Sequence, residues 1–184
     1  MSEKSILFMH EFGPTFASYR YRAEMPAKQL TGTNGFKIAL NEAGDYDVIV
    51  ISKPSEQTLA IAKQAKVDGA KVVADMSDDH FNGTGKEMYY ALAEAADHIV
   101  VASDVMRGRI HRYLDRDATV IGDPYEQPES PPHASDGEDY LWFGHHSNFK
   151  DLVPVMGLFK NRNLRVHTGP KPIPNTIMWT PNNM

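Results

Sequence analysis

The stretch DVIVISKPSEQTLAIAKQAKVDGAKVVAD, residues 47–75, decides the fold class of this 184-residue chain. Its two ends, DVIVIS and KVVAD, are short continuous apolar runs, which are typical of strands covered on both faces of a parallel sheet. Between them, apolar residues recur at helical spacing from Ser55, a candidate N-cap, to Gly69, a candidate stop. The stretch therefore predicts a strand, a helix and a second parallel strand.

The same alternation continues on both sides of this unit. Four further apolar runs predict strands: SILFMH (5–10), FKIAL (36–40), HIVVAS (98–103) and ATVIG (118–122). Two further amphipathic segments predict helices: KEMYYALAEAAD (86–97) and SDVMRGRIHRYLD (103–115), the second with Ser103 as its N-cap. Strands that alternate with helices favour an α/β domain with a Rossmann-like, doubly wound parallel sheet over residues 1–123.

A change in composition marks the end of this domain. Residues 124–139, PYEQPESPPHASDGED, contain four prolines, five acidic residues and no Lys or Arg, which predicts a stiff and solvated linker. Residues 140–184 then begin a second strand–helix–strand pattern, in which Pro154 weakens the helix. We interpret this segment as the start of a second Rossmann-like lobe.

The second segment has 45 residues, and a chain of this length rarely folds by itself. It either packs on the first domain, or is completed by another chain, or opens a domain that is cut short. An unfinished sheet leaves an open edge and uncovered apolar residues, which predicts a homo-oligomer formed through the C-terminal segment. The apolar residues concerned are Trp142, Phe143, Ile177, Met178 and Trp179.

Composition narrows the classes of function. The net charge of −5 disfavours a generic nucleic-acid binder, which relies on excess Lys and Arg. The absence of cysteine excludes disulfides, thiolate metal sites and cysteine nucleophiles, and it fits a reducing compartment. The N-terminal apolar run is too short for a signal peptide, and none approaches the ~18 residues of a membrane span. We expect a cytoplasmic, soluble protein without a membrane span.

The loop after the first predicted strand contains the first candidate site. Gly13 permits a tight turn, and Arg20 and Arg22 precede an apparent helix that ends near Leu30. Two guanidinium groups at this position suit recognition of a phosphate or carboxylate. The alternative is that both are solvated surface charges. The glycine fingerprint of dinucleotide-binding domains is absent.

An acidic cluster, DMSDDHF, follows the strand at residues 71–75. Asp75 is suited to orienting a substrate hydroxyl or acting as a base, Asp78 and Asp79 to binding an acceptor, and His80 to accepting a proton. Ordinary loop and capping roles are the alternative, and we expect them for at least two of the three carboxylates. A metal site is improbable, because the run supplies too few oxygen ligands.

The stretch LWFGHHSN contains the third candidate site. Gly144 allows a ligand to approach the backbone, while Ser147 or Asn148 is suited to capping a helix whose N-terminus attracts phosphate. Ordinary capping without a ligand is the alternative.

Taken together, these stretches resemble the GT-B glycosyltransferases of the family-four kind. The resemblance rests on the order of SYRYRAEMPAKQL, DVIVISKP, GAKVVADMSDDHF, ADHIVVASDVM, VIGDPYEQP and LWFGHHSN, which covers nearly the whole chain. It implies an acceptor-side domain followed by the start of a donor-side domain, and transfer of a sugar from a nucleotide-sugar donor to an unknown acceptor. It also implies no metal and no cofactor besides the nucleotide-sugar substrate.

From the residues and the resemblance together, we expect roles for particular residues. Asp78 and Asp79 are the expected catalytic carboxylates. The expected substrate-binding residues on the acceptor side are Gly13, Arg20, Arg22, Asp75 and His80. The expected residues at the nucleotide diphosphate are Gly144, His145, Asn148 and Lys171.

One departure from the family pattern bears on activity. A donor domain of this family normally continues with a pair of glutamates that grip the sugar and ribose, whereas this sequence stops at TIMWTPNNM. Because transfer requires donor and acceptor to be held together, we expect half a donor site to be inactive alone. A non-catalytic binding module, or a fragment completed by another chain, is therefore the alternative. An unrelated nucleotide-dependent reductase is disfavoured by the missing glycine fingerprint.

Overall fold

A computed structural model describes residues 4–33, 35–124, 139–144, 148–160, 163–168 and 176–178. The chain divides into two compact units, Met1–Pro128 and Glu129–Met184, so the division falls inside the proline-rich acidic segment. Each unit is described by itself.

The first unit is built on a six-stranded parallel sheet. Its strands are β1 (Lys4–His10), β2 (Phe36–Leu40), β3 (Val48–Ser52), β4 (Lys71–Met76), β5 (His98–Val101) and β6 (Thr119–Val120). The spatial order is β2-β1-β3-β4-β5-β6, and each neighbouring pair is parallel. The predicted α/β class with a Rossmann-like parallel sheet is confirmed.

Helices connect the strands. Helix α1 consists of three consecutive segments, Ala17–Tyr19, Arg20–Glu24 and Met25–Leu30. The other helices of this unit are α2 (Glu56–Val67), α3 (Lys86–Ala95) and α4 (Asp104–Leu114).

Both faces of the sheet carry helices, which makes the fold doubly wound. The larger core joins one face of the strands to helices α2, α3 and α4, and its fully buried members include Ile51, Leu92 and Ile110. The smaller core lies on the opposite face, where Ala23 and Ala27 of α1 pack near Phe8. The alternation of side chains along each strand divides the apolar residues between the two cores.

Local sequence signals determine where α2 and α4 begin and end. Ser55 and Thr58 form a reciprocal capping box at the start of α2, and the Ser103 hydroxyl accepts from the Met106 amide at the start of α4. Gly69 follows the end of α2 with φ of 93°, a conformation that a side chain disfavours. The predicted caps and stop are therefore confirmed.

Helix α1 contains an irregularity that the sequence did not predict. Its middle segment, Arg20–Glu24, is a π-helix, in which the wider turn replaces the usual α-helical hydrogen bonds. Short π segments are frequent at functional sites. This one contains the buried side chain of Arg22.

The strand order places a topological switch point between β1 and β3. The chain leaves β1 toward β2 on one side, and it leaves β3 toward β4 on the other. The last residues of the two strands, His10 and Ser52, are paired neighbours in the sheet. In open α/β sheets ligands bind beyond the carboxyl ends of the strands at such a point.

The second unit contains a smaller parallel sheet, with strands in the order β7-β8-β9. Its elements are β7 (Asp139–Gly144), α5 (Phe149–Leu152), a 3₁₀ helix (Val153–Phe159), β8 (Asn163–Thr168) and β9 (Thr176–Met178). The α-helix ends at Leu152, and Pro154 is near the start of the 3₁₀ helix that follows. Proline lacks the amide hydrogen that a continuing α-helix needs. The predicted weakening of the helix is confirmed.

The two faces of the β7 strand differ in exposure. The ring of Trp142 lies 6.1 Å from that of Phe149, and the ring of Tyr140 lies 5.2 Å from that of Phe159. Leu141 and Phe143 alternate with these residues and are 58% and 73% exposed. An apolar surface on this unit is therefore uncovered.

Within the described part of the chain, no helix is both long enough and apolar enough to cross a membrane.

Candidate functional site

Three loops meet at the carboxyl edge of the first sheet and enclose a cavity of about 370 Å³. They follow β1, β3 and β4, and helices α1 and α3 each supply one further wall residue. We call this cavity the aromatic crevice. The residues that line it are Glu11, Phe12, Phe16, Ser18, Lys53, Pro54, His80, Thr84 and Tyr89.

Lys53 lines the aromatic crevice and contacts two of the predicted residues. It directly follows β3, and its backbone φ of 57° is in the left-handed region, which is uncommon for a residue other than glycine. Its ammonium group donates to the Asp78 carboxylate and lies 3.3 Å from Nε2 of His80. A conformation of this kind costs on the order of 1–3 kcal/mol and is concentrated at functional sites.

Asp78 is half-exposed and ionised. Partial burial raises the pKa of the Asp78 carboxyl, but the hydrogen bond and charge of Lys53, together with His80 and the hydroxyl of Ser77, outweigh it. The net effect is a pKa below the ordinary value. The carboxylate is thus available to accept a hydrogen bond from a substrate hydroxyl.

His80 is neutral at physiological pH. Burial lowers the pKa of its imidazole, and the charge of Lys53 lowers it further, against the opposite effects of Asp78 and Asp79. The ring lies 4.5 Å from the ring of Tyr89. Burial, followed by the nearby carboxylates, raises the pKa of the Tyr89 hydroxyl well above its ordinary value, so this hydroxyl stays protonated.

Two phenylalanines form the opposite aromatic wall. The rings of Phe12 and Phe16 stack with centroids 4.5 Å apart and are 37% and 48% exposed. The buried His10 supports their loop, because its Nδ1 lies 3.0 Å from the Phe12 amide nitrogen and its Nε2 lies 3.1 Å from the Ser18 hydroxyl. Burial lowers the pKa of the His10 imidazole.

A buried ion pair lies at the same edge of the sheet. Arg22 donates to Asp75 through Nε at 2.9 Å and through Nη2 at 2.5 Å, and the Ser52 hydroxyl donates to the same carboxylate at 2.6 Å. Arg22 also donates to the Ile121 carbonyl at 2.7 Å. Desolvation lowers the pKa of Arg22, but the hydrogen bond and charge of Asp75 outweigh it, so the guanidinium remains charged.

This ion pair connects the strand ends that carry the site. Ser52 precedes Lys53 directly, and Asp75 lies three residues before Asp78. Arg22 and Asp75 are each less than a tenth exposed. Neither residue lines the aromatic crevice, so we interpret the two as positioning groups for its loops; both line the apolar groove described below.

The other predicted residues of the first unit have separate positions. The Asp79 carboxylate accepts from the Phe81 amide at 3.3 Å and lies 3.4 Å from Nε of Arg109, so it ties its loop to α4. Nη1 of Arg20 donates to the Pro14 carbonyl at 3.0 Å. Of the predicted residues, His80 lines the crevice, and Asp78 adjoins it through its bond to Lys53.

Gly13 starts a turn in the loop after β1. Its carbonyl accepts from the Phe16 amide at 3.0 Å. Its φ is not in the left-handed region, and a Cβ at this position would meet no atom within 4 Å. The turn therefore does not depend on glycine.

The predicted nucleotide-binding residues belong to the second unit. Gly144 ends β7, where a Cβ would lie 3.2 Å from the indole of Trp142, so that ring occupies the space beside the glycine. Asn148 precedes α5, and its side chain makes no capping hydrogen bond. His145 and Lys171 lie outside the described residues.

Sequence reasoning missed most of the residues that line the crevice, among them Phe12, Phe16, Lys53 and Tyr89. Lys53 had a usable signal, because it directly follows a predicted strand and so lies at the same sheet edge as the acidic cluster. The phenylalanines had a weaker signal, since nothing in the sequence indicates that two residues four apart in a loop will stack.

Two other cavities adjoin the sheet of the first unit. A groove of about 380 Å³ is mainly apolar and is lined by residues such as Val48, Val73 and Val100. A cavity of about 580 Å³ lies at the start of α2 and is lined by Glu11, Glu42 and Glu56 among others. No group of three or more potential metal ligands occurs among the described residues.

Comparison of the sequence with protein-family models finds no match, and comparison with curated proteins also finds none.

Proposed function

We propose that the first unit binds the acceptor of a glycosyl transfer reaction in the aromatic crevice. The observation that carries this proposal is the meeting of Lys53 and His80 in an aromatic cavity at the topological switch point, where Lys53 is also bonded to Asp78. The likeness of the sequence to GT-B glycosyltransferases supplies the reaction class. The donor is a nucleotide sugar.

The position and size of the crevice support a small-molecule site. Ligands of doubly wound sheets bind at the carboxyl ends of the strands, which is where the three loops meet. The cavity of about 370 Å³ is at the small end of the range for ligand pockets, about 300–1,000 Å³. It is therefore large enough for a small acceptor, or for the terminal residue of a larger one.

The proposed chemistry uses Asp78 at the acceptor hydroxyl. The acceptor oxygen forms a bond to the anomeric carbon of the donor sugar, and the bond from that carbon to the diphosphate oxygen breaks. The electron pair of the broken bond leaves on the nucleoside diphosphate, and the hydroxyl proton moves to Asp78. Lys53 keeps Asp78 ionised and oriented before the step.

In the proposal, the second unit contributes the donor side. Gly144, His145, Asn148 and Lys171 remain the proposed contacts of the nucleotide diphosphate, on the resemblance alone. No further cofactor is part of the proposal.

The proposal also includes a cytoplasmic location and self-association of the protein. The absence of cysteine from the sequence supports a cytoplasmic location. The exposed Leu141 and Phe143 support self-association through the second unit.

Calorimetric titration of the chain tests the proposal. We expect one member of a panel of nucleoside diphosphates to bind saturably, and we expect Asp78→Asn to weaken acceptor binding about tenfold, because a charged hydrogen-bond acceptor is lost. The matched control is Asp104→Asn, which changes an exposed carboxylate at the start of α4. The proposal fails if no nucleoside diphosphate binds, or if Asp78→Asn affects acceptor binding no more than the control does.

Turnover distinguishes an enzyme from a binding module. Release of the nucleoside diphosphate from its sugar that depends on added acceptor indicates transfer. Binding of both ligands without such release indicates the binding module.

A further inference from the structure

We propose that the acceptor is a neutral ring with one apolar face, of the pyranoside type, which packs this face against the stacked pair of Phe12 and Phe16 and directs a hydroxyl toward Asp78. The inference rests on the proposed function of the aromatic crevice and specifies the class of acceptor. The inference is based on the aromatic walls, the charge and the size of the crevice.

The walls of the crevice favour a ring over a flexible chain. Phe12 and Phe16, which are stacked on each other, form one aromatic wall, and His80 with Tyr89 forms another. A ligand ring that lies against an aromatic surface buries a flat apolar area without loss of internal rotational freedom. An open-chain polyol with the same hydroxyl groups must lose that freedom when it binds.

The partial exposure of Phe12 and Phe16 supports a role in ligand binding. Two phenylalanine rings that are more than a third exposed leave apolar surface in water, although the unit has a large core that could bury such side chains. Aromatic residues at the mouth of a cavity that also contains convergent polar groups are typical of ligand sites. The stacked pair therefore has the position of a ligand platform.

The charges of the crevice disfavour an anionic acceptor. Lys53 is the cationic side chain among the described lining residues, and its ammonium group is already bonded to Asp78. Glu11 adds a carboxylate to the same wall. A phosphate or carboxylate on the ligand would meet an excess of negative charge without a cation of its own.

Saturation-transfer NMR with the full chain tests the inference. The probes are three methyl hexopyranosides, the open-chain hexitol and a hexose 6-phosphate. We expect at least one pyranoside to bind, with the strongest saturation on the protons of one ring face. We expect the hexitol to bind about tenfold more weakly than that pyranoside, because the open chain is not preorganised. We expect the hexose phosphate to bind about tenfold more weakly as well, because the carboxylates repel its charge.

A matched pair of variants isolates the stacking contact. Phe16→Leu keeps an apolar side chain but removes the ring, and we expect pyranoside affinity to fall about two- to tenfold while the weak binding of the hexitol is unchanged. Phe36→Leu is the control, because Phe36 is 39% exposed on β2 and does not line the crevice. The control should bind like the unaltered chain.

The outcomes separate this inference from the proposed function. The inference is overturned if the hexitol binds as tightly as the pyranosides, if the phosphate binds more tightly, if no pyranoside binds, or if the two phenylalanine variants behave alike. When the compounds that do bind still depend on Asp78, the crevice keeps its acceptor role and only the ring class is wrong. When Asp78→Asn alters the binding of none of them, the proposed function fails as well.

Discussion

Lys53 controls the charge of its neighbours in the aromatic crevice. It contributes to the lowered pKa of the Asp78 carboxyl and to the lowered pKa of the His80 imidazole, since one ammonium group faces both. The residue therefore influences the protonation states of both groups.

Replacing Lys53 tests this control. We expect Lys53→Met to raise the pKa of His80, because the substitution removes a cation that lowers it while Asp78 and Asp79, which raise it, remain. The measurement is a pH titration of the His80 ring signals by NMR. Lys63→Met, which changes a lysine on α2, is the control and should leave the titration as it is. A pKa of His80 that stays the same or falls in Lys53→Met contradicts the assignment.

Replacing Arg22, which forms a buried ion pair with Asp75, is a second test at the level of single residues. Arg22→Met leaves the Asp75 carboxylate buried without its cation, and we expect a loss of about 3–5 kcal/mol in the free energy of unfolding. Adding Asp75→Asn to this variant should recover part of the loss, since the uncompensated charge is removed. Urea unfolding measures the free energy of unfolding of the single and the double variant. A loss below about 1 kcal/mol in the single variant would show that the pair does not hold the strand ends together.

At the level of elements, the regular parts of the first unit were predictable. The continuous apolar strands, the Ser55 and Ser103 caps and the Gly69 stop are local signals, and the structure has each at the predicted place. The π segment of α1 and the conformation of Lys53 were not predictable, because both depend on contacts between residues far apart in the chain. Arg22 meets Asp75 across 53 positions, and Lys53 meets Asp78 across 25.

Two glycines give opposite predictions for helix stability. Gly69→Ala should lower the free energy of unfolding by about 1 kcal/mol, because φ of 93° disfavours a side chain. Gly108→Ala should raise it by about 0.5–1 kcal/mol, since Gly108 lies inside α4 and a Cβ there meets no atom within 4 Å. Chemical denaturation of both variants gives the comparison. Equal effects of the same sign would contradict the description of the two helix positions.

At the level of the whole molecule, composition predicted a division into two units. The proline-rich acidic segment interrupts the alternation of strands and helices, and the compact units divide within it. The strand order could not be predicted from the sequence, because the alternation of strands and helices predicts parallel strands but not which strands are neighbours. The position of the switch point, and with it the aromatic crevice, therefore required the structure.

Self-association is a prediction at this level. Phe143 is 73% exposed on a small sheet, and parallel sheets are normally covered on both faces. We expect light scattering to show a mass above that of one chain, and we expect Phe143→Ser to reduce it. Val105→Ser is the matched control, since Val105 is also 73% exposed but lies on α4. A strict monomer at high concentration, or equal effects of the two variants, would contradict the prediction.

The most direct test of the account is a map of amide chemical shifts in the full chain on addition of the tightest-binding pyranoside. We expect the largest changes in residues 11–18, 53–54 and 77–85, which enclose the aromatic crevice. Largest changes around Val48, Val73 and Val100 in the apolar groove, with these loops unaffected, would contradict it.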